Sequence, residues 1–414
     1  MKIRAVKRFM AVVVMITMLC SYIGCTEVQA INLMDGIIAR NIETVSDMDK
    51  GNVAVTDFAL RLFKGSMEEG KNTLISPLSV LCALAMTANG ADGETLSQME
   101  EVLGMTADEL NLYIHSYMEN LPEAEKYKLK LANSIWFTDD ERFTVNQDFL
   151  QTNADYYGAD IYKAPFDDTT LADINNWVSE NTDGMIEDIL DKITDTAIMY
   201  LVNALAFEAE WQDIYLKSQV RIGRFKTESG NAKNVEFMHS QENVYLEDEN
   251  ATGFMKYYKD RKYAFVALLP NDGVSVKDYL DTLTGEKITD MLANHGYASV
   301  STAIPKFETE YDVEMSDVLK NLGMTDAFNM DVADFTKLGE SSDGNIFISR
   351  VLHKTFISVG EKGTKAGAAT VIEAADGAME VEPKAVFLDR PFVYMLIDCE
   401  NNVPFFIGTL MDVE

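Results

Sequence analysis

Residues Ile198 to Phe207 form a nearly unbroken apolar run, Ile-Met-Tyr-Leu-Val-Asn-Ala-Leu-Ala-Phe. A strand without polar alternation suits the centre of a sheet, buried on both faces. Elements of both types surround it. Val55, Phe58, Ala59 and Leu62 fall at helical spacing, and Gly65 and Gly70 end that pattern. Ser76-Pro77 opens a second apolar helix, running through Leu81, Ala85 and Met86 to Gly90, and helical segments continue to about Leu121. Leu129–Phe137 reads as strand and Asn175–Leu190 as helix. Tyr263–Leu269 is a strand stopped by Pro270-Asn271-Asp272-Gly273, and Val313–Leu322 returns to helix. Ile346–Val359, Phe392–Ile397 and Phe405–Leu410 are strands. No linker-like stretch divides residues 50–414 and no repeat is visible. A single large mixed α and β domain is therefore predicted over 51–414. Residues 31–50 mix Asp, Asn, Gly and Ser with scattered apolar positions and read as a tether.

The chain has 414 residues and a formal charge of −32. Its first thirty residues carry four basic groups (Lys2, Arg4, Lys7, Arg8) and one acid (Glu27). Without them the balance deepens by three, to −35. Such a surface argues against nucleic acid or an anionic membrane face as partner, because counterion release needs clustered cations. Lys2 to Arg8 reads as the basic start of a secretory signal and Phe9 to Leu19 as its apolar core, short for a membrane span. Two processing sites compete. Val28-Gln29-Ala30 suits ordinary signal peptidase. Tyr22-Ile23-Gly24-Cys25 resembles a lipobox, which makes Cys25 a lipidation candidate and gives the only expected membrane contact. Either way the mature chain is expected outside the cytoplasm, secreted or on the cell surface. Cys82 and Cys399 sit in apolar patterns and read as core thiols.

Catalytic signatures are missing: there is no nucleophile elbow, phosphate-binding glycine loop, zinc-type His pair or Cys-x-x-Cys. The four histidines, His115, His239, His295 and His353, lie far apart. No enzyme activity, cofactor or metal is expected. The informative stretch is Glu361-Lys362-Gly363-Thr364-Lys365-Ala366-Gly367-Ala368-Ala369-Thr370, directly after a strand pattern. Small residues cost little to bury, so such a segment can be exposed in one state and fitted between strands in another. From Gly363 onward, one strand face presents Thr364, Ala366, Ala368, Thr370, Ile372 and Ala374, all small or apolar. The other carries Lys365 and Glu373.

That stretch, placed this near the C-terminus, resembles the hinge of the serpin family. Other segments resemble serpins in the same order: Asn72 to Ser79, Gly90 to Thr95, Leu131 to Trp136, Ile174 to Val178, Asn203 to Phe207 with Trp211, Pro305-Lys306-Phe307, Leu322 to Phe328, His353-Lys354, Arg390-Pro391-Phe392 and Phe406-Ile407-Gly408. The resemblance covers nearly all of the chain from Val53. It implies an α+β fold, a single large domain with a central, mainly antiparallel sheet, further sheets, surrounding helices and an exposed reactive loop. Met185, Glu208, Thr409, Lys365 and Gly367 depart from the family pattern, the last two on the face expected to stay outside.

The resemblance also implies a function. A serine protease would cut the loop and form an acyl-enzyme, and the freed loop would insert into the main sheet, dragging the protease with it. The inhibitor is expected to be a monomer that forms a covalent complex with its target; the alternative is a non-inhibitory serpin acting as a binding or surface protein. The hinge would comprise Glu361, Gly363, Thr364, Ala366, Ala368, Ala369 and Thr370. Ser76, Ser79, Asn203 and His353 match the polar shutter controlling sheet opening, and Trp211 the region where insertion starts. The candidate region for the cleaved bond is Ala375-Asp376-Gly377-Ala378-Met379-Glu380 and its edge at Val381. Counting from Glu361 places it near Gly377-Ala378, and counting back from Pro391 places it near Glu380-Val381. No Lys or Arg lies between Thr370 and Glu382, which disfavours a trypsin-like target; Ala374, Ala375, Ala378 and Met379 suit an elastase-like or subtilisin-like one, and Asp376 and Glu380 would instead suit an acid-selective enzyme.

Overall fold

In a computed structural model describing residues 30–121, 126–139, 143–194, 197–342, 344–364 and 384–413, the apolar run from Met199 onward lies inside a long central strand. In chain order the strands are β1 (Ile31–Asn32), β2 (Thr73–Ile75), β3 (Tyr127–Thr138), β4 (Phe143–Val145), β5 (Asp160–Ala164) and β6 (Met199–Glu210). Then come β7 (Val220–Lys226), β8 (Ala232–Glu247), β9 (Ala251–Tyr257), β10 (Tyr263–Pro270), β11 (Gly296–Pro305) and β12 (Phe307–Glu314). The last are β13 (Gly339–Ser341), β14 (Arg350–Gly360), β15 (Gly363–Thr364), β16 (Lys384–Phe387), β17 (Phe392–Asp398) and β18 (Val403–Leu410).

One sheet runs β1-β5-β3-β6-β15-β14-β12. The second runs β16-β11-β8-β9-β10-β17-β18-β2, with β7 beside β8, and a ribbon joins β4 to β13. Most neighbours in the first sheet are antiparallel, as expected; the parallel exceptions are β3–β5 and a direct β6–β14 pairing. Helix Pro77–Ala88 is buried along its whole length and touches β3 and β6 on one side and β18 on the other. A helix apolar all round belongs between layers. Its start is fixed by Ser76 as N-cap and Pro77 in the first turn. A second, smaller core forms on the opposite face of the first sheet, where Ile174, Trp177, Val178, Ile186, Ile189 and Leu190 cover Tyr200, Val202, Ala204 and Leu352. β6 is thus buried on both faces, as its sequence requires.

Three local readings are corrected. The helix expected over Asn175–Leu190 spans Asp168–Asn181, because the Asp167 carboxylate caps the amides of Thr169 and Thr170. Positive φ at Asp183 and Gly184 then ends it. Ile186, Ile189 and Leu190 keep a helical spacing but pack from an irregular segment. The helix expected from Val313 begins at Ser316, since residues 307–314 pair with β14. The strand read from Ile346 begins at Arg350.

The segment read as a tether does not hang free over its described part. Ile31 and Asn32 pair with Lys163 and Tyr162 of β5. Further on, the Arg40 amide and guanidinium donate to the Asp155 carboxylate at 2.7 and 2.9 Å, and Gln151 donates to it at 2.8 Å. The Val45 amide donates to Ser116 Oγ at 2.9 Å. Asp155 is buried while Arg40 is exposed, so the carboxylate is the costly partner to remove. Asp155→Ala is expected to lower unfolding free energy by about 1–3 kcal/mol, and Arg40→Ala by less than about 1 kcal/mol, measured by chemical denaturation.

Candidate functional site: a seam in the first sheet

β6 and β14 run parallel and pair directly from Tyr200/Arg350 to Ala204/Lys354. Above that level they part, and β15 stands between them. Gly363 lies opposite Glu210 and Gly360, and Thr364 opposite Ala209 and Val359. The start of the sequence-predicted hinge therefore occupies the mouth of a gap in the sheet. Gly363 has φ +153°, and a Cβ there would come within 1.9 Å of the Ala209 carbonyl oxygen, so glycine is required. Thr364 faces the core at 1% exposure, the inward side read from the alternation.

Trp211 sits at this mouth. Its ring stacks on Tyr258, with centroids 4.3 Å apart and planes 11° apart. Its indole N–H donates to the Gly360 carbonyl and its amide to the Lys362 carbonyl, both at 2.8 Å. The Tyr215 amide donates to the Glu361 carbonyl at 2.9 Å, and the Tyr258 hydroxyl bonds Thr364 Oγ1 at 2.5 Å. Lys306 bonds the Glu361 carboxylate and also that of Glu236 at 2.8 Å. The hydrogen bond from Lys306 holds the Glu361 carboxyl below its usual range.

Lower on the seam, Ser76, Ser79, Asn203 and His353 form one buried network. The Ser76 amide donates to His353 Nε2 at 3.0 Å, so the imidazole proton is assigned to Nδ1, which donates to Asn203 Oδ1 at 2.6 Å. The Ser79 hydroxyl donates to the same oxygen at 2.9 Å, and Asn203 Nδ2 donates to the Leu352 carbonyl at 3.1 Å. Asn203 and His353 are paired residues of β6 and β14, so the network closes the seam where the strands touch. Separating the strands breaks the His353–Asn203 and Asn203–Leu352 bonds together, while Ser76 and Ser79 each hold one strand to the helix start.

A strap crosses the outer face. It follows helix Asp168–Asn181, with Asp183 on Lys130 of β3 at 2.6 Å, Asp188 on Lys354 of β14 at 2.7 Å, and Asp191 near Arg350 of β14 at 3.9 Å. It spans β6 and the seam between its two attachments.

The structure thus brings together Ser76, Ser79, Asn203 and His353 at one level, and Trp211, Glu361, Gly363 and Thr364 at another. Ala366, Ala368, Ala369, Thr370, the residues Ala375, Asp376, Gly377, Ala378, Met379 and Glu380, and Cys25 lie outside the described residues. Sequence reading missed Tyr215, Tyr258 and the ionic role of Lys306. Burial of His353 pulls its imidazole down to about 3 from an ordinary 6.5. A lowered folded pKa means that the unfolded chain binds the proton first. The stability held by the neutral ring is therefore present above pH 6.5 and lost as pH falls toward 3. Relative to a His353→Gln variant, wild-type stability is expected to drop below pH 6.5 with a slope approaching about 1.4 kcal/mol per pH unit, read from denaturation midpoints between pH 7.5 and 4.5.

A model of the family described as serpin (serine protease inhibitor) matches residues 53–413. Serpin B10 of Bos taurus is 30% identical over 391 residues, covering 86% of this chain and 97% of its own. The native state of tengpin, a thermophilic serpin, is 50% identical with a TM-score of 0.90, covering 93% of this chain and 100% of its own. Tengpin in its latent state, 49% identical over 91% of this chain and 100% of its own, gives a lower TM-score of 0.79, so the arrangement here is nearer the native form. The chain belongs to the serpin family of serine protease inhibitors.

Proposed function

We propose that this chain is an extracytoplasmic suicide inhibitor that traps an elastase-like or subtilisin-like serine protease by inserting its cut loop between β6 and β14. The target's serine oxygen attacks the carbonyl carbon of a bond within 375–381. The new amine leaves with a proton, and an ester joins loop to protease. The freed strand then extends downward from Thr364, carrying the acylated enzyme with it.

The observation that carries this reading is the register of β15. With Thr364 opposite Val359 and Ala209, antiparallel continuation sets Ala366 opposite Ile357 and Phe207, Ala368 opposite Thr355 and Leu205, and Thr370 opposite His353 and Asn203. Each partner is buried, and each incoming side chain is small. Thr370 would arrive at the shutter itself, where its hydroxyl can both donate and accept as the His353–Asn203 bond opens. Lys365 would point to the outer face. β14 supplies partners down to Arg350, opposite Glu373. The absence of Lys and Arg between Thr370 and Glu382 supports the target class, and the basic and apolar N-terminus supports export, with lipid anchoring if Cys25 is processed as a lipobox cysteine.

The test is direct. The purified protein is mixed in turn with pancreatic elastase and with subtilisin and run on a denaturing gel. An adduct at the summed mass with at least one of them is expected. Clean cleavage by both without an adduct would leave a non-inhibitory serpin. Ala368→Arg would place a charge opposite the buried Thr355 and Leu205 once the loop inserts. It is expected to reduce adduct more than roughly tenfold while loop cleavage continues, because burying an unpaired cation costs several kcal/mol.

A further inference from the structure

Lys256 in β9 is the anomaly of the upper seam: a lysine with 2% exposure in a stretch otherwise apolar and aromatic, Gly253-Phe254-Met255-Lys256-Tyr257-Tyr258. Its ammonium donates to Glu242 Oε1 at 2.8 Å and to the Asp213 carbonyl at 3.3 Å. It lies 4.5 Å from the Tyr215 ring centroid and 5.4 Å from that of Trp211. Glu242 Oε1 also accepts from Ser240 Oγ at 2.6 Å, and Ser240 Oγ bonds the Tyr215 hydroxyl at 3.2 Å. The network closes on itself around the turn 211–215.

Burying an ion pair is costly, and apolar side chains of similar volume often do as well or better for stability. Retaining one here calls for a role other than stability. The turn that Lys256 fixes is the one whose Trp211 and Tyr215 amides hold the Lys362 and Glu361 carbonyls. Those residues form the bend between β14 and β15, about which an entering strand has to turn.

We propose that Lys256 is a positioning residue for insertion: through Asp213, Trp211 and Tyr215 it fixes the pivot at 361–362, and so sets the register in which the loop enters the sheet. Lys256 acts through the turn 211–215 rather than through any chemistry of its own. The consequence for inhibition rests on the insertion mechanism proposed above; the fixing of the pivot does not. Without it, the bend wanders, correct entry slows, and the acyl-enzyme has time to hydrolyse before it is trapped.

The test uses the full-length protein as Lys256→Met/Glu242→Met, which removes both charges, and as Lys256→Arg, which keeps the cation over the rings. Amide exchange followed by mass spectrometry reads the intact protein. The double variant is expected to keep its melting temperature and overall protection, while exchange at 211–215 rises roughly tenfold. Its adduct with elastase or subtilisin should fall several-fold in favour of cleaved inhibitor, and Lys256→Arg should restore both readouts. Unchanged exchange at 211–215 would overturn the proposal. So would a uniform loss of protection with a lowered melting temperature, the result of a merely structural role. If wild type forms no adduct, the inhibition reading fails by itself, and the exchange result still decides whether Lys256 fixes the pivot.

Discussion

The hydrogen bond from His353 to Asn203 spans the line along which β6 meets β14, and the rest of the site is arranged around it. It is short, at 2.6 Å, and fully buried, and it ties two strands that pair with each other over only a few residues. Inside a protein, such a bond is worth more than in water, and leaving either partner unmet costs more still. The seam therefore resists a gradual opening. In the mechanism proposed above, it would yield when another strand supplies partners for both edges together, a gate with two discrete states.

Above the gate β15 already stands between β6 and β14. Gly363 and Thr364 occupy their places in the ladder, and the aromatic cluster of Trp211, Tyr215 and Tyr258 holds the bend above them. Below and outside, the strap of Asp183, Asp188 and Asp191 ties β3 to β14 across the seam. An added strand widens that span by about 4.8 Å, so the strap must lift or lose an ion pair. On the proposed mechanism, residues 363–364 already stand in the sheet, and further insertion would require ladder, shutter and strap to give way together. The proposal requires such a state to be held by a barrier rather than by being the most stable arrangement available.

Much of this was legible in the sequence. The apolar run at 198–207 placed β6 in the middle of a sheet because burial on both faces leaves no room for polar alternation. The resemblance placed Ser76, Ser79, Asn203 and His353 together although they lie up to 277 residues apart. Thr364 faces inward as its alternation with Lys365 required. What was not legible depends on long-range partners. Residues 31–50 have a tether's composition, yet Leu33, Met34, Ile37, Val45 and Met48 pack on the core and backbone amides and the Arg40–Asp155 pair add to the attachment, at spacings that no helix or strand pattern announces. Ile186, Ile189 and Leu190 mimic a helix, but left-handed Asp183 and Gly184 end the helix before them. Lys256 gave one weak signal, a charge inside an apolar strand, and its meaning depends on Glu242 and on a turn that lies far off in sequence.

The central claim is that the sheet becomes more stable once its loop is cut and can enter. The direct measurement is the apparent melting temperature of the intact protein against that of protein nicked between residues 371 and 382 by a protease that it does not trap. About ten residues joining the ladder on both edges, at about 0.5–1.5 kcal/mol per hydrogen bond, predict a rise of roughly 15–20 °C. A nicked form that melts at or below the temperature of the intact protein would contradict the mechanism.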